Sequence, residues 1–370
     1  MRVGIPTEIK NNEYRVAITP AGVAELTRRG HDVVIQAGAG DGSAISDSDF
    51  KAAGAEIVTG AEQVWAEADL LLKVKEPIEA EYSLMRKGQT LFTYLHLAAS
   101  KPCTDALLAS GTTSIAYETV QTADGFLPLL APMSEVAGRL SAQVGAYQLM
   151  KTQGGRGVLM GGVPGVAPAE VVVIGGGTAG YNGARVASGM GANVTIFDVN
   201  INRLRELDAE FGGRIQTRYS STYDLETAVK EADLVIGAVL VPGAKAPKLV
   251  SNALVAHMKP GSVLVDIAID QGGCFEDSRP TTHDDPTFTV HDSVFYCVAN
   301  MPGSVPRTST YALTNATMPY VVKLADKGWQ AACAADAALA KGLSTHEGAL
   351  LSEQVADDLD LPFTDPASLV

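Results

Sequence analysis

The aliphatic run Val171 to Ile174 leads directly into Gly175-Gly176-Gly177-Thr178-Ala179-Gly180. Glycines spaced G-x-G-x-x-G between a strand and a helix suit a dinucleotide pyrophosphate. Gly175 permits the tight turn, Gly177 lets the backbone approach the phosphates, and Gly180 lets helix and strand pack closely. The amides and positive end of the following helix complete an anion site. The next run, Val194 to Phe197, ends on Asp198, whose carboxylate can accept hydrogen bonds from an adenosine ribose diol. A 2'-phosphate there would meet like charge, and no arginine follows until Arg203, so NAD is expected over NADP. An ordinary turn residue at a strand end is the other reading of Asp198.

A second group stands at the ends of other apolar runs: Lys73, Lys75 and Glu76 after Leu70 to Leu72, and Tyr94 and His96 within Leu91 to Leu97. Ligands of open α/β sheets bind beyond the carboxyl ends of strands. Taken alone, His96 reads more readily as a core or turn histidine than as a catalytic one, and Arg15 and Lys75 as solvated surface charges. Asp270 precedes Gly272-Gly273 and could cap a turn, while Asp266 on the same run competes with it for a functional role. His283-Asp284-Asp285-Pro286 reads as a polar turn before proline, and no metal is expected. Cys103, Cys274, Cys297 and Cys333 lack metal-like spacing, and Cys274 and Cys297 have no evident activating partner.

The elements that must position these residues follow from periodicity. Up to about Leu130, β-like runs at Arg2 to Ile5, Val33 to Ala37, Leu70 to Val74, Leu91 to Leu97 and Ser114 to Val120 alternate with helical ones. Thr19-Pro20 and Gly30 punctuate one helix. A long helix from Ser134 to Met150, with Ser134 as its cap, leaves this domain. A second series follows: Val171 to Ile174, Val194 to Asp198, Arg214 to Thr217, Leu234 to Val239, Val263 to Ile269 and Phe295 to Val298. Helical pattern returns from Tyr311 to Ala332, and the short tail cannot form a domain of its own. The expected fold is α/β, with two doubly wound Rossmann-like domains. A nucleotide domain at 131–306 is inserted into a discontinuous substrate domain at 1–130 and 307–370.

Composition removes other classes. The 370 residues are 46% hydrophobic and 19% charged, enough for two packed cores and far from a disordered composition. A net charge of -14 argues against nucleic acid and anionic membrane surfaces. Glycines, prolines and Glu170 interrupt the stretch Val158 to Ile174, so no membrane span is expected. The opening MRVGIPTEIK has no apolar signal core, and a reducing cytoplasm is expected.

Several segments carry a resemblance over essentially the whole chain: MRVGIPTEIKNNEYRVAITPAGV, LLLKVKEP, TYLHLAAS, APMSEVAG, VVVIGGGTAGYNGARVA, VDIAIDQGGCFE and VANMPGSVPRTSTYALTNATMPY. Together they resemble the alanine dehydrogenase / pyridine nucleotide transhydrogenase alpha-subunit family, and within it the bacterial L-alanine dehydrogenases. The resemblance implies reversible NAD-dependent oxidative deamination of L-alanine to pyruvate and ammonium, with glyoxylate as a further substrate. It implies Arg15 and Lys75 on the substrate carboxylate and carbonyl, His96 as the proton-handling group and Asp270 as its acid/base partner beside the nicotinamide. Tyr94, Met133 and Asn300 would contact substrate. Ser134, Thr178, Asp198, Arg203, Ser220, Val239, Ile267, Asn300 and Met301 would join Asp270 and the glycine turn around the cofactor. A homohexamer is also implied, as is closure of a cleft hinged near Ala131 to Ser134 and Pro302 to Thr308.

The residue types suit this chemistry: arginine can grip both oxygens of a small 2-oxo acid, and lysine brings a mobile charge to its carbonyl. Proton transfers at imine and carbinolamine stages suit a histidine. Two rivals remain at this point: a transhydrogenase subunit, which needs a membrane partner, and a non-catalytic NAD-binding protein that has kept the fold.

Overall fold

A computed structural model of the chain describes residues 1–239 and 246–369; Val370, the last residue of the C-terminal stretch assigned above, lies outside them. The chain divides into two compact units, Met1–Met133 with Val305–Val370, and Ser134–Ser304.

In the first unit the strands are β1 (Arg2–Ile5), β2 (Asp32–Gln36), β3 (Glu56–Val58), β4 (Leu70–Leu72), β5 (Thr90–Thr93) and β6 (Thr113–Ala116). They pair in parallel in the order β6-β5-β4-β1-β2-β3. Parallel strands covered on both faces need continuous apolar runs, and Leu70, Leu71 and Leu72 are all buried. The helix Pro20–Arg28 starts where its punctuation placed it: the Thr19 side chain accepts from the Gly22 amide, and Gly30 takes φ +85° just past the end. Beneath the sheet, Val34, Trp65, Leu71, Leu91, Leu95 and Leu107 share one core.

The second unit holds β7 (Glu170–Ile174), β8 (Asn193–Asp198), β9 (Gln216–Tyr219), β10 (Leu234–Gly237), β11 (Val263–Asp266), β12 (Thr287–Val290) and β13 (Ser293–Tyr296). Their order is β12-β13-β11-β10-β7-β8-β9, with only the β12 edge antiparallel among the described strands. Its core gathers Val172, Phe197, Val235, Leu264, Phe275 and Phe295.

After the helix Pro306–Ala335, β14 (Leu343–His346) and β15 (Ala349–Leu350) extend the first sheet: β14 pairs antiparallel with β6. The first unit is therefore built from both ends of the chain.

Two expectations need correction. The long helix runs from Ala131 to Gln148, so Ser134 lies inside its first turns and is not its cap. The Leu127 carbonyl already accepts the Leu130 and Ala131 amides, which starts the helical path earlier, and Pro132 fits a first turn. The run Val263 to Ile269 is strand only as far as Asp266; Ile267–Gln271 is a 3-10 turn, and Asp270 sits in that turn and not at the strand's end.

Candidate active site

In the first sheet, connections leave β1 and β4 toward opposite edges, so the crevice beyond the carboxyl ends of these two strands is the expected ligand position. Arg15 lies on the chain leaving β1, Lys75 on that leaving β4, and Tyr94 and His96 on that leaving β5. The loop after β1 borders an opening of about 360 Å³ lined by residues from Thr7 to Arg15 with Gly38, Ala39 and Gly42.

Arg15 is buried, 2% exposed, and is not a solvated charge. Its Nε and Nη2 donate to the two Glu13 carboxylate oxygens at 2.7 and 2.5 Å, and its Nη1 donates to Met133 Sδ at 3.0 Å. The next residue is anchored as well, the Val16 amide donating to Thr310 Oγ1 on the long C-terminal helix. Arg15 and Met133, both expected from the sequence to contact substrate, are in direct contact.

Lys73, met in the sequence as one of several polar residues at a strand end, has a structural place. It is 1% exposed, and its Nζ donates to Glu8 at 3.0 Å and to Glu81 at 2.8 Å. Burial acts against its charge, but the two carboxylates prevail and hold the ammonium protonated. Glu8 also accepts the Val74 amide at 2.6 Å, which ties the chain leaving β1 to the chain leaving β4. This buried triad fixes the backbone that carries Lys75. Lys75 is itself buried, and its carbonyl accepts from Thr93 Oγ1 at 3.1 Å. Beside it, burial resists ionisation of Glu76, but Lys75 and Lys10 overcome it and hold the carboxyl below the usual carboxylate range.

Tyr94 is buried, and its hydroxyl donates to the Leu129 carbonyl at 2.5 Å. Burial keeps that phenol protonated far above its ordinary range. Its ring stacks on His96, with centroids 5.9 Å apart and planes 7° from parallel. His96 is partly exposed and adopts φ +48°, ψ +42°. Its neighbour Glu118, which the sequence reading missed, follows β6 and accepts the His96 amide at 2.6 Å.

In the second unit the switch falls between β7 and β10, whose carboxyl ends carry Gly175 and Val239. Gly175 takes φ +100°, and a Cβ there would meet the Ala238 carbonyl oxygen at 2.8 Å; a Cβ on Gly180 would meet the Gly175 oxygen at 1.8 Å. A Cβ on Gly177 would meet nothing within 4 Å among the described residues, which leave the face at the amino end of the Thr178–Gly189 helix open. Its N-cap residue is Gly177, which has no side chain to cap it. Asp198 accepts the Gly176 amide at 2.7 Å and the Asn200 amide at 2.7 Å, and the Ser220 amide donates to its carbonyl at 3.0 Å. Arg203 Nε donates to the Gly176 carbonyl at 2.7 Å, and its Nη1 pairs with Glu206. Open amides, a cradle shaped by glycine and a strand-end carboxylate fit a dinucleotide.

Asp266, the rival carboxylate, is fully buried and occupied. It accepts the Ala268 and Cys274 amides at 3.0 and 2.9 Å and the Ser278 hydroxyl at 2.5 Å. Burial pushes its carboxyl up while these donors pull it down. It organises the turn on which Asp270 stands exposed and Ile267 half-buried. Lys248 holds the same turn through the Gly272 and Phe275 carbonyls. Asn300 takes φ +65°, its carbonyl lying 3.2 Å from His283 Nε2, and Met301 is buried beside it. Burial pushes the Cys103 and Cys297 thiols up to about 12 and raises the Cys274 thiol as well, so none is a nucleophile at neutral pH.

Comparison with known proteins decides the family. Residues 4–137 match the model for the N-terminal domain of alanine dehydrogenase/PNT, and residues 141–353 match that for its C-terminal domain. The chain belongs to the alanine dehydrogenase/PNT family. Within the family it is 85% identical to the alanine dehydrogenase of Mycolicibacterium smegmatis over 370 residues, covering 100% of both chains. It is 58% identical to that of Halomonas elongata, again over the full length of both. A solved L-alanine dehydrogenase superposes with TM-score 0.94 at 52% identity, covering 97% of this chain and 99% of the other. A transhydrogenase from Sinorhizobium meliloti is more distant, with TM-score 0.79 at 26% identity, covering 95% and 99%. Membership of the alanine dehydrogenase/PNT family implies a nicotinamide dinucleotide cofactor and small-molecule substrates. Among the described residues, no helix is long and apolar enough to cross a membrane.

Proposed function

We propose that the chain catalyses the reversible NAD-dependent oxidative deamination of L-alanine to pyruvate and ammonium. One observation carries the assignment of the site: Arg15 and Lys75 lie on the chain leaving the two strands at the sheet's switch point, both buried, with His96 on the chain leaving the adjacent β5. Arg15 and Lys75 bring two buried cations to one crevice, and the Arg15 guanidinium, held in place by Glu13, is preorganised for a carboxylate. Lys75 polarises the carbonyl, while Tyr94, Met133 and Asn300 complete the substrate contacts. His96 moves protons to and from the substrate oxygen and nitrogen, with Asp270 as second acid/base.

The dinucleotide, when bound, supplies or accepts the hydride. Gly175, Gly177, Thr178 and Gly180 would hold its pyrophosphate, and Asp198 its ribose diol. Ser134, Arg203, Ser220, Val239, Ile267 and Met301 would line the remainder of its path. The Asp198 carboxylate supports NAD over NADP, because a 2'-phosphate beside it would be repelled. The segment boundaries 1–130, 131–306 and 307–370 remain our assignment of substrate and nucleotide domains. The family resemblance supports a homohexamer working in the cytoplasm, and light scattering after gel filtration would test the assembly.

The deciding experiment supplies purified protein with NADH, pyruvate and ammonium and follows absorbance at the reduced nucleotide's band. Consumption that requires both pyruvate and ammonium is expected, with slower turnover of glyoxylate; one methylene is worth about 1–3 kcal/mol of discrimination. Tight NADH binding without turnover would favour a non-catalytic protein. Hydride exchange between NADH and an oxidised nucleotide, without need of pyruvate, would favour the transhydrogenase reading.

A further inference from the structure

β5 and β6 are parallel neighbours with Thr93 opposite Ala116, so the chains leaving them emerge side by side. His96 is on one and Glu118 on the other. The Glu118 carboxylate accepts the His96 amide at 2.6 Å and the Leu95 amide at 3.1 and 3.2 Å, one oxygen from each side of the group. Its Oε1 also lies 3.9 Å from His96 Nδ1, with the Glu118 side chain only 16% exposed. The backbone of His96 is left-handed at φ +48°, a conformation uncommon outside glycine and one that Asn, Asp and His adopt more often than other residues. Tyr94 covers one face of the imidazole, so the ring is constrained by stacking, by its own backbone and by one carboxylate.

We propose that Glu118 is the positioning residue of the proton-handling step: it holds the left-handed turn at His96 and presents negative charge to Nδ1. This rests on the reading of His96 given above. A carboxylate beside Nδ1 favours the tautomer with hydrogen on that nitrogen, which leaves the Nε2 lone pair to exchange protons with the substrate. Other charges surround the ring without this geometry. Glu76 interacts with His96 through space, but Lys10 and Lys75 balance it. On the elements packed against the turn, Lys101 and Asp105 pair with each other in solvent, and Glu353, Asp357 and Asp358 are exposed. Among the described residues, Glu118 alone joins the backbone and the ring.

Glu118→Gln keeps an amide oxygen for the two backbone donors and removes the charge. It is expected to keep the thermal midpoint and the KM for NADH near native while lowering kcat about 10- to 100-fold. The deuterium-solvent isotope effect on kcat should grow, and the imidazole ¹⁵N shifts of His96 in histidine-labelled protein should move toward the Nε2–H tautomer. Glu118→Ala, which also strips the amide acceptor, should lose more activity and stability. Native kcat in Glu118→Gln overturns the proposal, as does a fall in kcat with unchanged isotope effect and ¹⁵N shifts, which would mark a purely structural residue. His96→Ala, assayed in parallel, separates the two ideas. Native turnover there overturns the role given to His96, whereas the ¹⁵N shifts in Glu118→Gln report on Glu118 whatever that turnover is.

Discussion

Glu13 grips the buried Arg15 guanidinium through both carboxylate oxygens, at 2.7 and 2.5 Å, and also accepts the Arg15 amide at 3.1 Å. The pair sets the direction of the Nη1 edge, which meets Met133. Removing one partner of such a pair leaves an uncompensated buried charge. Glu13→Ala is therefore expected to cost about 3–5 kcal/mol in denaturant unfolding. In whatever protein remains folded, the KM for pyruvate should rise. Arg15→Lys loses the planar fork and should raise the same KM at least tenfold, on the order of 1.4 kcal/mol, with the KM for NADH unmoved.

Asp198 serves the glycine turn before any nucleotide arrives, since it accepts the Gly176 and Asn200 amides. Its carboxylate oxygens are also the acceptors proposed for the ribose diol. Asp198→Ala should weaken NADH binding by about 1.5–3 kcal/mol, the worth of hydrogen bonds to a charged group. Titration calorimetry with NADH and NADPH would check this. The ratio of the two affinities should fall, and an unchanged preference would remove Asp198 from the nucleotide contacts.

Gly175 takes φ +100° with no room for a Cβ beside the Ala238 carbonyl. Gly175→Ala combines strain with a backbone clash and should destabilise the fold by well over about 1 kcal/mol. Gly177→Ala meets no atom of the described residues within 4 Å and should leave the melting temperature near native while blocking the nucleotide. A thermal shift of each variant with and without NADH distinguishes structural from binding damage.

Where the sequence was legible, burial on both faces made it so. β4 is aliphatic throughout and β7 is aliphatic after Glu170, and they carry the two crevices. β3, β12 and β14 escaped because Glu56–Val58 is short, opens on a charged residue and has one buried position, Thr287–Val290 is a half-exposed edge, and Leu343–His346 has one aliphatic residue followed by Ser, Thr and His. The cap at Ser134 failed because a serine before an apolar period looks the same one turn inside a helix as at its start. Lys73 and Lys75 stand two residues apart with the same local context, and only the fold shows Lys73 enclosed by Glu8 and Glu81. Glu118 reads locally as a solvated turn acid; the pairing of β5 with β6, invisible along the chain, brings it to His96. An acidic residue just past a strand was the available signal, and it gains meaning only from the neighbouring strand.

The carboxyl of Glu76 is held below its ordinary range by Lys75 and Lys10 against the opposing effect of burial, and this has a definite sign in pH. A carboxyl depressed in the folded state stabilises the fold above its unfolded value of about 4.3 and loses that contribution as pH falls through the lower folded value. Glu76→Gln should therefore be less stable than the natural chain at pH 7, and the gap should close on acidification below about pH 4. Urea midpoints for both proteins across this range would measure it. The Glu76 side chain is 12% exposed but that of Lys10 is 42% exposed, so salt should weaken the Lys10 contribution more than that of the buried Lys75. A gap independent of pH would mean that Glu76 contributes through packing and not through its charge.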